Sequence, residues 1–526
     1  MKLLEANHLK VFIKDRLIID VEHLQLHSKD RIGIVGKNGS GKTTLLEVLA
    51  EKRKPDSGDI HLFTSPVLLP QIKKTDTTKS GGEVTQEYIK EAMLQNPELL
   101  LADEPTTNLD TSHVEWLEKL LRHWQGAFII VSHDRAFLDA LCTTIWEVSD
   151  GKVKEYKGNY SDYVQQKELE RLEHERDYEK YIQKKRQLEN ALEEKMKRAD
   201  RATKKPKNVS LSEASITGAK PYFAKKQKKM QKTAKSIETR LEKLETVEKL
   251  KEQTPIKMVL PNERSFKNKI IIRAENIEGA FGSRKLWSKK SFHIKGGDKV
   301  AIIGPNGAGK TTLLKKLIHG SDGITVSPSA KLGYFSQNLD VLDLNQSILE
   351  NVKSTSVQDE SFVRTVLARL HFYRDDVYKL AGVLSGGERV KVALAKSFVS
   401  NMNTFILDEP TNYLDIDAVE ALETLLAEFE GTVIFVSHDR RFISKVAQRI
   451  FELKDGSLLI YDGHYDSYKN DTPKNSRDTS EDQLLILGTK ISEILSRLSI
   501  EPSPELDAEF QKLLREKREL ENKKKW

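Results

Sequence analysis

The sequence predicts an α/β protein made of two tandem copies of one domain, joined by a long antiparallel helical hairpin and followed by a C-terminal helical extension. Three observations carry this reading. Short motifs recur in the same order in both halves, the chain between the copies changes to a Glu-, Lys-, Arg- and Leu-rich composition, and the last stretch again reads as helix.

At 526 residues there is room for roughly three domains of ordinary size. The 86 Lys+Arg against 79 Asp+Glu leave a net charge of +7, and 38% hydrophobic residues suffice to build cores. No run approaches the roughly 18 apolar residues that a membrane span needs. Met1-Lys2-Leu3-Leu4-Glu5 shows no apolar h-region or small-residue cleavage site, so no export signal is expected. The single cysteine, Cys142, excludes an intramolecular disulfide framework and a Cys-rich zinc site. The expectation is a soluble, cytoplasmic protein.

The repeat is explicit. Gly36-Lys37-Asn38-Gly39-Ser40-Gly41-Lys42-Thr43 returns as Gly304-Pro305-Asn306-Gly307-Ala308-Gly309-Lys310-Thr311. Asp103-Glu104-Pro105-Thr106 returns as Asp408-Glu409-Pro410-Thr411, and Ser132-His133-Asp134-Arg135 as Ser437-His438-Asp439-Arg440. The first motif repeats after 304 − 36 = 268 residues and the later ones after 408 − 103 = 305. The first copy is therefore shorter by about 37 residues, lost between Gln71 and Ser80. The expected domains are 1–163, a linker over 164–257, 258–470, and an extension over 471–526.

G-x-x-x-x-G-K-[ST] lets backbone N–H groups surround a phosphate chain at a helix N-terminus. Lys42 and Lys310 would neutralise β/γ-phosphates, and the Thr43 and Thr311 hydroxyls would ligate Mg²⁺. Each loop follows a short apolar strand, Arg31–Val35 or Val300–Ile303. Leu99–Glu104 and Phe405–Glu409 read as buried strands ending in acid pairs. Asp103 and Asp408 would hold the metal, while Glu104 and Glu409 stand where a general base polarises water. Ser80-Gly81-Gly82-Glu83 and Ser385-Gly386-Gly387-Glu388 each begin a helix, as an anion site or equally as a plain cap.

Between the copies, 164–200 has no Gly or Pro and carries an apolar stripe of Leu169, Leu172, Tyr178, Tyr181, Leu188, Leu192 and Met196. Its arm should extend roughly 55 Å. A second arm over 223–251 carries Ile237, Leu241, Leu244 and Leu250, with Pro206, Gly218 and Pro221 breaking the pattern between the arms. Residues 201–232 hold ten basic residues (Arg201, Lys204, Lys205, Lys207, Lys220, Lys225, Lys226, Lys228, Lys229, Lys232) against one acid, Glu213. That bend is +9, and the rest of the chain sums to 7 − 9 = −2. Such a concentration suits a polyanion. Tyr222 and Phe223 offer faces for stacking on unpaired bases, or they staple the turn.

Phosphate loop, a lone Gln (Gln71, Gln337), Ser-Gly-Gly-Glu, Asp-Glu-Pro-Thr-x-x-Leu-Asp and Ser-His-Asp-Arg in this order resemble the nucleotide-binding domain of the ATP-binding cassette superfamily. Two cassettes without a membrane domain, joined by a charged helical linker, resemble its ABC-F branch of ribosome-associated ATPases. The stretches Lys79–Thr85, Arg201–Asn208, Gly218–Phe223 and Leu498–Pro504 are similar to Vga-type antibiotic-resistance members. The resemblance covers nearly the whole chain.

It implies ATP and Mg²⁺ as ligands, sandwiched between Gly36 to Thr44 and Ser385 to Glu388, and between Gly304 to Thr312 and Ser80 to Glu83. It further implies His133 and His438 as γ-phosphate switch residues, Gln71 and Gln337 as sensors of metal and water, and Phe12 and Phe281 stacked on adenine. As a partner it implies the ribosome near its tRNA exit site and peptidyl-transferase centre, reached by the basic linker bend, with streptogramin A, lincosamide and pleuromutilin drugs displaced. By the same resemblance the chain is a monomer with no membrane subunit. Lys79 replaces the family's usual Leu, and 9 positions separate Gln71 from Ser80 against 48 between Gln337 and Ser385. These departures put equivalence of the two sites in doubt. The competing readings are the ATPase subunit of a membrane importer, which gives a basic hairpin no use, and an ATP-gated nucleic-acid clamp, which gives Glu104 and Glu409 none.

Overall fold

The computed structural model describes residues 1–71, 81–95, 97–107, 109–201, 219–244, 246, 267–282, 284–335, 341–412, 414–470, 487, 491, 494–495, 498 and 503–523. Met1–Ser161 and Thr254–Trp526 form one compact unit, and Asp162–Gln253 a second.

In the first unit the repeat becomes a repeat of topology. Strands β1 (Lys2–Ile13), β2 (Arg16–His27) and β4 (Ser57–Leu62) make an antiparallel sheet in the order β2-β1-β4. Strands β3 (Arg31–Val35), β5 (Val67–Leu69), β6 (Leu99–Asp103), β7 (Ala127–Val131), β8 (Thr144–Ser149) and β9 (Lys152–Lys157) make a second sheet, ordered β5-β6-β7-β3-β8-β9. Its members are parallel except for β9. The second copy repeats both sheets. One contains β10 (Ile270–Phe281), β11 (Arg284–Lys295) and β13 (Ile324–Val326). The other contains β12 (Lys299–Ile303), β14 (Leu332–Phe335), β15 (Thr404–Asp408), β16 (Thr432–Val436), β17 (Arg449–Lys454) and β18 (Ser457–Asp462), ordered β14-β15-β16-β12-β17-β18.

β6 and β7 are buried at every position, as expected for parallel strands covered on both faces. Helix α1 (Lys42–Leu49) buries Leu45, Leu46, Val48 and Leu49 in one core with Leu4, Val11, Ile32 and Trp146. Burying each such side chain contributes about 1.5–3 kcal/mol. That exceeds the few tenths of a kcal/mol, on the order of 0.3, forgone by opening the helix on Gly41, whose position offers no capping side chain. Burial therefore holds α1 in place, and the N–H groups of its first turn have no intrahelical partner.

The copies differ between β14 and the helix Gly386–Phe398. There the second copy inserts helices Ile348–Lys353 and Glu360–Arg369 and two 3₁₀ turns, with Leu342, Ile348, Val352, Val363, Val366 and Leu367 buried among them. The first copy has only residues 70–80 between β5 and the helix Gly81–Leu94.

One helix runs from Tyr160 to Arg201, 42 residues and about 63 Å at 1.5 Å per residue, with all but its first two residues in the second unit. Exposed i,i+3 and i,i+4 pairs such as Arg171–Glu168 (2.7 Å) and Arg198–Glu194 (3.0 Å) line it. Tyr178, Tyr181, Leu188 and Leu192 are half-buried at helical spacing. Leu169, Leu172 and Met196, expected in the same stripe, are exposed. The periodicity was correct but overran the covered length at both ends. The next helix spans Ala219–Glu242 and takes Pro221 into its first turn, where a missing N–H leaves no gap in the ladder. It thus starts earlier than the breaker reading of Pro221 expects. Ala234 is buried and Ile237, Leu241 and Leu244 half-buried, while Leu250 lies outside the described residues. The extension contains a helix over Pro504–Lys523, entered through Ser503, whose carbonyl accepts the Asp507 N–H at 3.1 Å.

Candidate active site

The phosphate loops, the Asp-Glu pairs and the Ser-His-Asp-Arg segments lie where parallel strands end at their carboxyl side, at or beside the central strand of each sheet. The chain leaves β3 into the loop Gly36–Gly41 and enters α1, and leaves β12 into Gly304–Gly309 before the helix Lys310–His319. The Lys42 ammonium donates to the carbonyls of Gly36 (2.7 Å) and Lys37 (3.0 Å), and that of Lys310 to Gly304 (2.9 Å) and Pro305 (3.1 Å). Burial lowers the pKa of both lysines, and the nearby Glu104 and Glu409 carboxylates oppose the shift.

The Thr43 hydroxyl donates to Asp103 Oδ2 at 2.7 Å, and Thr311 hydrogen-bonds Asp408 in the same way. A hydroxyl beside one carboxylate at a phosphate loop fits Mg²⁺, which takes few protein oxygens and keeps its remaining positions for water and phosphate. Among the described residues no group of three or more His, Cys, Asp or Glu side chains forms a stand-alone metal cage.

Glu104 and Glu409 follow directly. Both adopt a positive φ, 51° and 49°, a region costly for a residue with a side chain. Their N–H groups donate to Val131 O (2.9 Å) and Val436 O (3.0 Å) in the next strand, which fixes the turn. His133 Nε2 lies 3.4 Å from Glu104 Oε1, and His438 Nε2 3.2 Å from Glu409 Oε1. Burial pushes Glu104 up to about 8 and Glu409 to about 7, and pushes both histidines down to about 3. The imidazoles are thus neutral at pH 7, each able to donate one N–H, and the carboxylates titrate near neutrality as general bases do.

Each copy completes the other's loop. Asp110 caps the helix Thr111–His123 and accepts the Asn306 N–H at 2.9 Å. Asp415 caps Ile416–Glu428 and accepts the Asn38 N–H at 3.1 Å. These backbone bonds contribute to holding Asp110 at about 2 and Asp415 below its ordinary value. A cleft of about 870 Å³ lies between the copies, lined by Asn38, Gly39, Gln71, Glu104 and His133 from one side. Phe281, Lys310, Thr311, Ser385, Glu409 and His438 face it from the other.

Of the expected adenine contacts, Phe281 lines this cleft and is 76% exposed, whereas Phe12, 41% exposed, does not line it. Replacing Phe281 by Ala should weaken binding of a fluorescent ATP analogue by roughly 5- to 150-fold, since base–aromatic stacking contributes about 1–3 kcal/mol. Ser385 acts both as cleft lining and as a cap: its hydroxyl accepts Glu388 N–H (3.3 Å) and donates to Glu388 Oε2 (2.6 Å). Gly81, Gly82 and Glu83 begin the helix Gly81–Leu94; Ser80 and Gln337 lie outside the described residues. Lys204, Lys205 and Lys207 also lie outside them. Arg201 ends its helix, and Lys220, Tyr222, Phe223, Lys225, Lys226, Lys228 and Lys229 belong to Ala219–Glu242.

Asp110 and Asp415 as crossing ligands were not anticipated, nor were two ion pairs between the copies, Arg135–Glu423 and Arg440–Glu118. The signal was available: 110, 118 and 135 each recur with the same residue type 305 positions later.

Comparison with known proteins agrees with this geometry. A family model described as ABC transporter matches residues 20–77 and 288–412, and a second of the same description matches 146–258. The erythromycin resistance ATP-binding protein MsrA of Staphylococcus epidermidis is 34% identical over 483 residues, 86% of this chain and 98% of that protein. The ribosome protection protein VmlR of Bacillus subtilis is 33% identical over 552 residues, 98% and 97% of the two chains. The chain belongs to the ABC-F family of ATP-binding proteins. Like the cassettes of that family, these are ATPase domains, and the protein is an ATPase. The solved structure of the RNase-L inhibitor shares the fold at a TM-score of 0.58 and 19% identity, covering 88% of this chain and 92% of that one. Among the described residues of this ABC-F protein, no helix is long and apolar enough to cross a membrane.

Proposed function

We propose that this ATPase is a ribosome protection factor whose ATP-closed form binds the ribosomal tRNA exit site. Its basic linker bend reaches toward the peptidyl-transferase centre and displaces streptogramin A, lincosamide or pleuromutilin drugs. The observation that carries the reading is one chain combining a cleft completed by both cassettes with a helical unit whose segment 201–232 is +9. Each phosphate neutralised by such a segment releases counterions and favours RNA. Support also comes from VmlR and MsrA, which match along almost their whole length and whose names describe ribosome protection and erythromycin resistance.

The domains behind this are 1–163, the linker 164–257, 258–470 and the extension 471–526. Lys42 and Lys310 neutralise the β/γ-phosphates. Thr43, Asp103 and Gln71, with Thr311, Asp408 and Gln337 opposite, hold Mg²⁺, which when bound offsets phosphate charge. Glu104 and Glu409 accept the proton of the attacking water, and His133 and His438 donate to the γ-phosphate. Loss of that phosphate opens the sandwich and releases the protein. Lys204, Lys205, Lys207 and their basic neighbours contact rRNA, and Tyr222 and Phe223 stack on unpaired bases. The protein works as a cytoplasmic monomer.

The test is co-sedimentation of the Glu104→Gln, Glu409→Gln double variant with ribosomes, with and without ATP. Pelleting that depends on ATP is expected. Absence of association at any ATP level would sink the reading and favour the transporter subunit.

A further inference from the structure

The contacts between cassettes extend beyond the phosphate loops. Arg135, two residues after the switch histidine His133, is 2% exposed and pairs with Glu423, which is fully buried. A second contact in that pair, Arg135 Nη1 to Glu423 Oε2, is 3.2 Å, and Asp439 stands 3.7 Å from the same guanidinium. The other half repeats this: Arg440, two residues after His438, pairs with Glu118, with Nη1 to Oε2 at 3.4 Å and Asp134 at 3.9 Å. Glu423 sits on the helix Ile416–Glu428, eight residues beyond its cap Asp415, which accepts Asn38 N–H. Glu118 sits eight residues beyond Asp110, which accepts Asn306 N–H. One rigid helix from each cassette therefore grips both the phosphate loop and the switch segment of the opposite site, about 12 Å apart along its axis.

We propose that Arg135 and Arg440 are positioning residues, held in trans by Glu423 and Glu118, that set each switch histidine against the general-base glutamate of its own site. The switch segment is tied within its own cassette and across to the other. Its histidine meets the glutamate, and the hydroxyls of Ser132 and Thr106 (3.1 Å), or Ser437 and Thr411 (3.3 Å), join it to the strand end. The backbone N–H of His133 also donates to Glu104 Oε2 at 3.3 Å. The tie through the arginine differs, because its glutamate partner comes from the other cassette and makes the segment's geometry depend on how the halves are docked. A buried ion pair is a poor general adhesive, because apolar residues of similar volume stabilise as well. What a guanidinium–carboxylate fork supplies is direction. The proposal rests on Glu104 and Glu409 being the general bases.

The experiment measures ATP turnover of the full chain in two backgrounds, Glu104→Gln and Glu409→Gln, each leaving one site to work. In Glu104→Gln, adding Glu118→Gln should lower the remaining kcat by about tenfold or more, with KM for ATP changed by less than about threefold, because misplacement of a catalytic group acts on the chemical step. Glu423→Gln should cost several-fold less there, and the order should reverse in Glu409→Gln. Arg440→Lys, which keeps the charge and loses the fork, should reproduce the Glu118→Gln loss in a protein that melts like its parent. The exchange Glu118→Arg with Arg440→Glu should restore most of the rate. Equal losses from both glutamates in both backgrounds would make the pairs mere interface contacts and overturn the proposal, as would no loss at all. Undiminished turnover in the two backgrounds themselves would instead remove the general-base assignment, and the proposal with it.

Discussion

The Glu104→Gln, Glu409→Gln double variant is expected to lose ATP turnover by about 10²–10⁴-fold while retaining ATP binding, the range over which a positioned general base acts. The amide keeps the shape of each side chain and removes its capacity to take a proton. Both carboxyls are buried, which holds Glu104 at about 8 and Glu409 at about 7. A raised pKa means the proton is retained longer, so the active, ionised base accumulates only as pH rises through 7 and 8. Wild-type kcat should therefore climb with pH over that window and the double variant should stay flat. The single variants separate the sites. With either glutamate as the remaining base, the rise should appear over the same near-neutral window. The same shifts act on folding in the opposite sense: between pH 4.5 and about 8 the folded chain binds more protons at these positions than the unfolded one, so their contribution to stability falls as pH rises. A pH series of kcat on the four proteins checks the catalytic part.

Replacing Gly36 or Gly304 by Ala should weaken ATP binding at the loop concerned by about 100-fold or more. Their φ values, 148° and 146°, lie where an L side chain rarely goes. The added methyl would stand 2.4 Å from the Val148 carbonyl oxygen or 2.2 Å from that of Leu453. Those atoms are backbone of the neighbouring strands β8 and β17, so they cannot swing aside as a side chain would. Strain of this kind costs about 1–3 kcal/mol before the steric contact is added, and each 1.4 kcal/mol is about tenfold in affinity. The loop would rotate its N–H groups off the phosphates while the sheets behind it remain. Titration with a fluorescent ATP analogue, with the other loop left intact, reads the loss at each site.

The parts of this molecule legible in the sequence are those whose chemistry is local. Lys42 and Thr43 are adjacent, Asp103 ends an unbroken apolar strand, and the set returns in the second copy at offsets of 268 and 305 residues. Nothing local announces that Glu104 will turn to positive φ, because that conformation comes from a hydrogen bond to Val131 on a neighbouring strand. Nor could spacing place Asp110 on Asn306 or Arg135 on Glu423, partners 196 and 288 residues apart. Phe12 and Phe281 lie 36 − 12 = 24 and 304 − 281 = 23 residues before their loops, yet of the two Phe281 lines the cleft and Phe12 does not, since distance along the chain does not say which way a side chain turns. In the linker, periodicity identified a helix but could not mark where its covering ended. Leu169, Leu172 and Met196 therefore fell on the exposed side of that limit.

Because Asp110 serves the loop of the second cassette and Asp415 that of the first, the two halves cannot drift independently. A substitution that moves the helix Thr111–His123 moves its cap Asp110 and so reaches Asn306, in the phosphate loop of the other cassette. Lineages descending from such a chain should change in diagonal pairs, and a half transplanted from a relative should fail unless the matching half travels with it. Divergence along one diagonal has room to differ from divergence along the other. Asp110 is steadied by Ser112 and His113, whereas Asp415 is steadied by Lys391, so the duplicated halves have already found separate ways of supporting the same crossing bond.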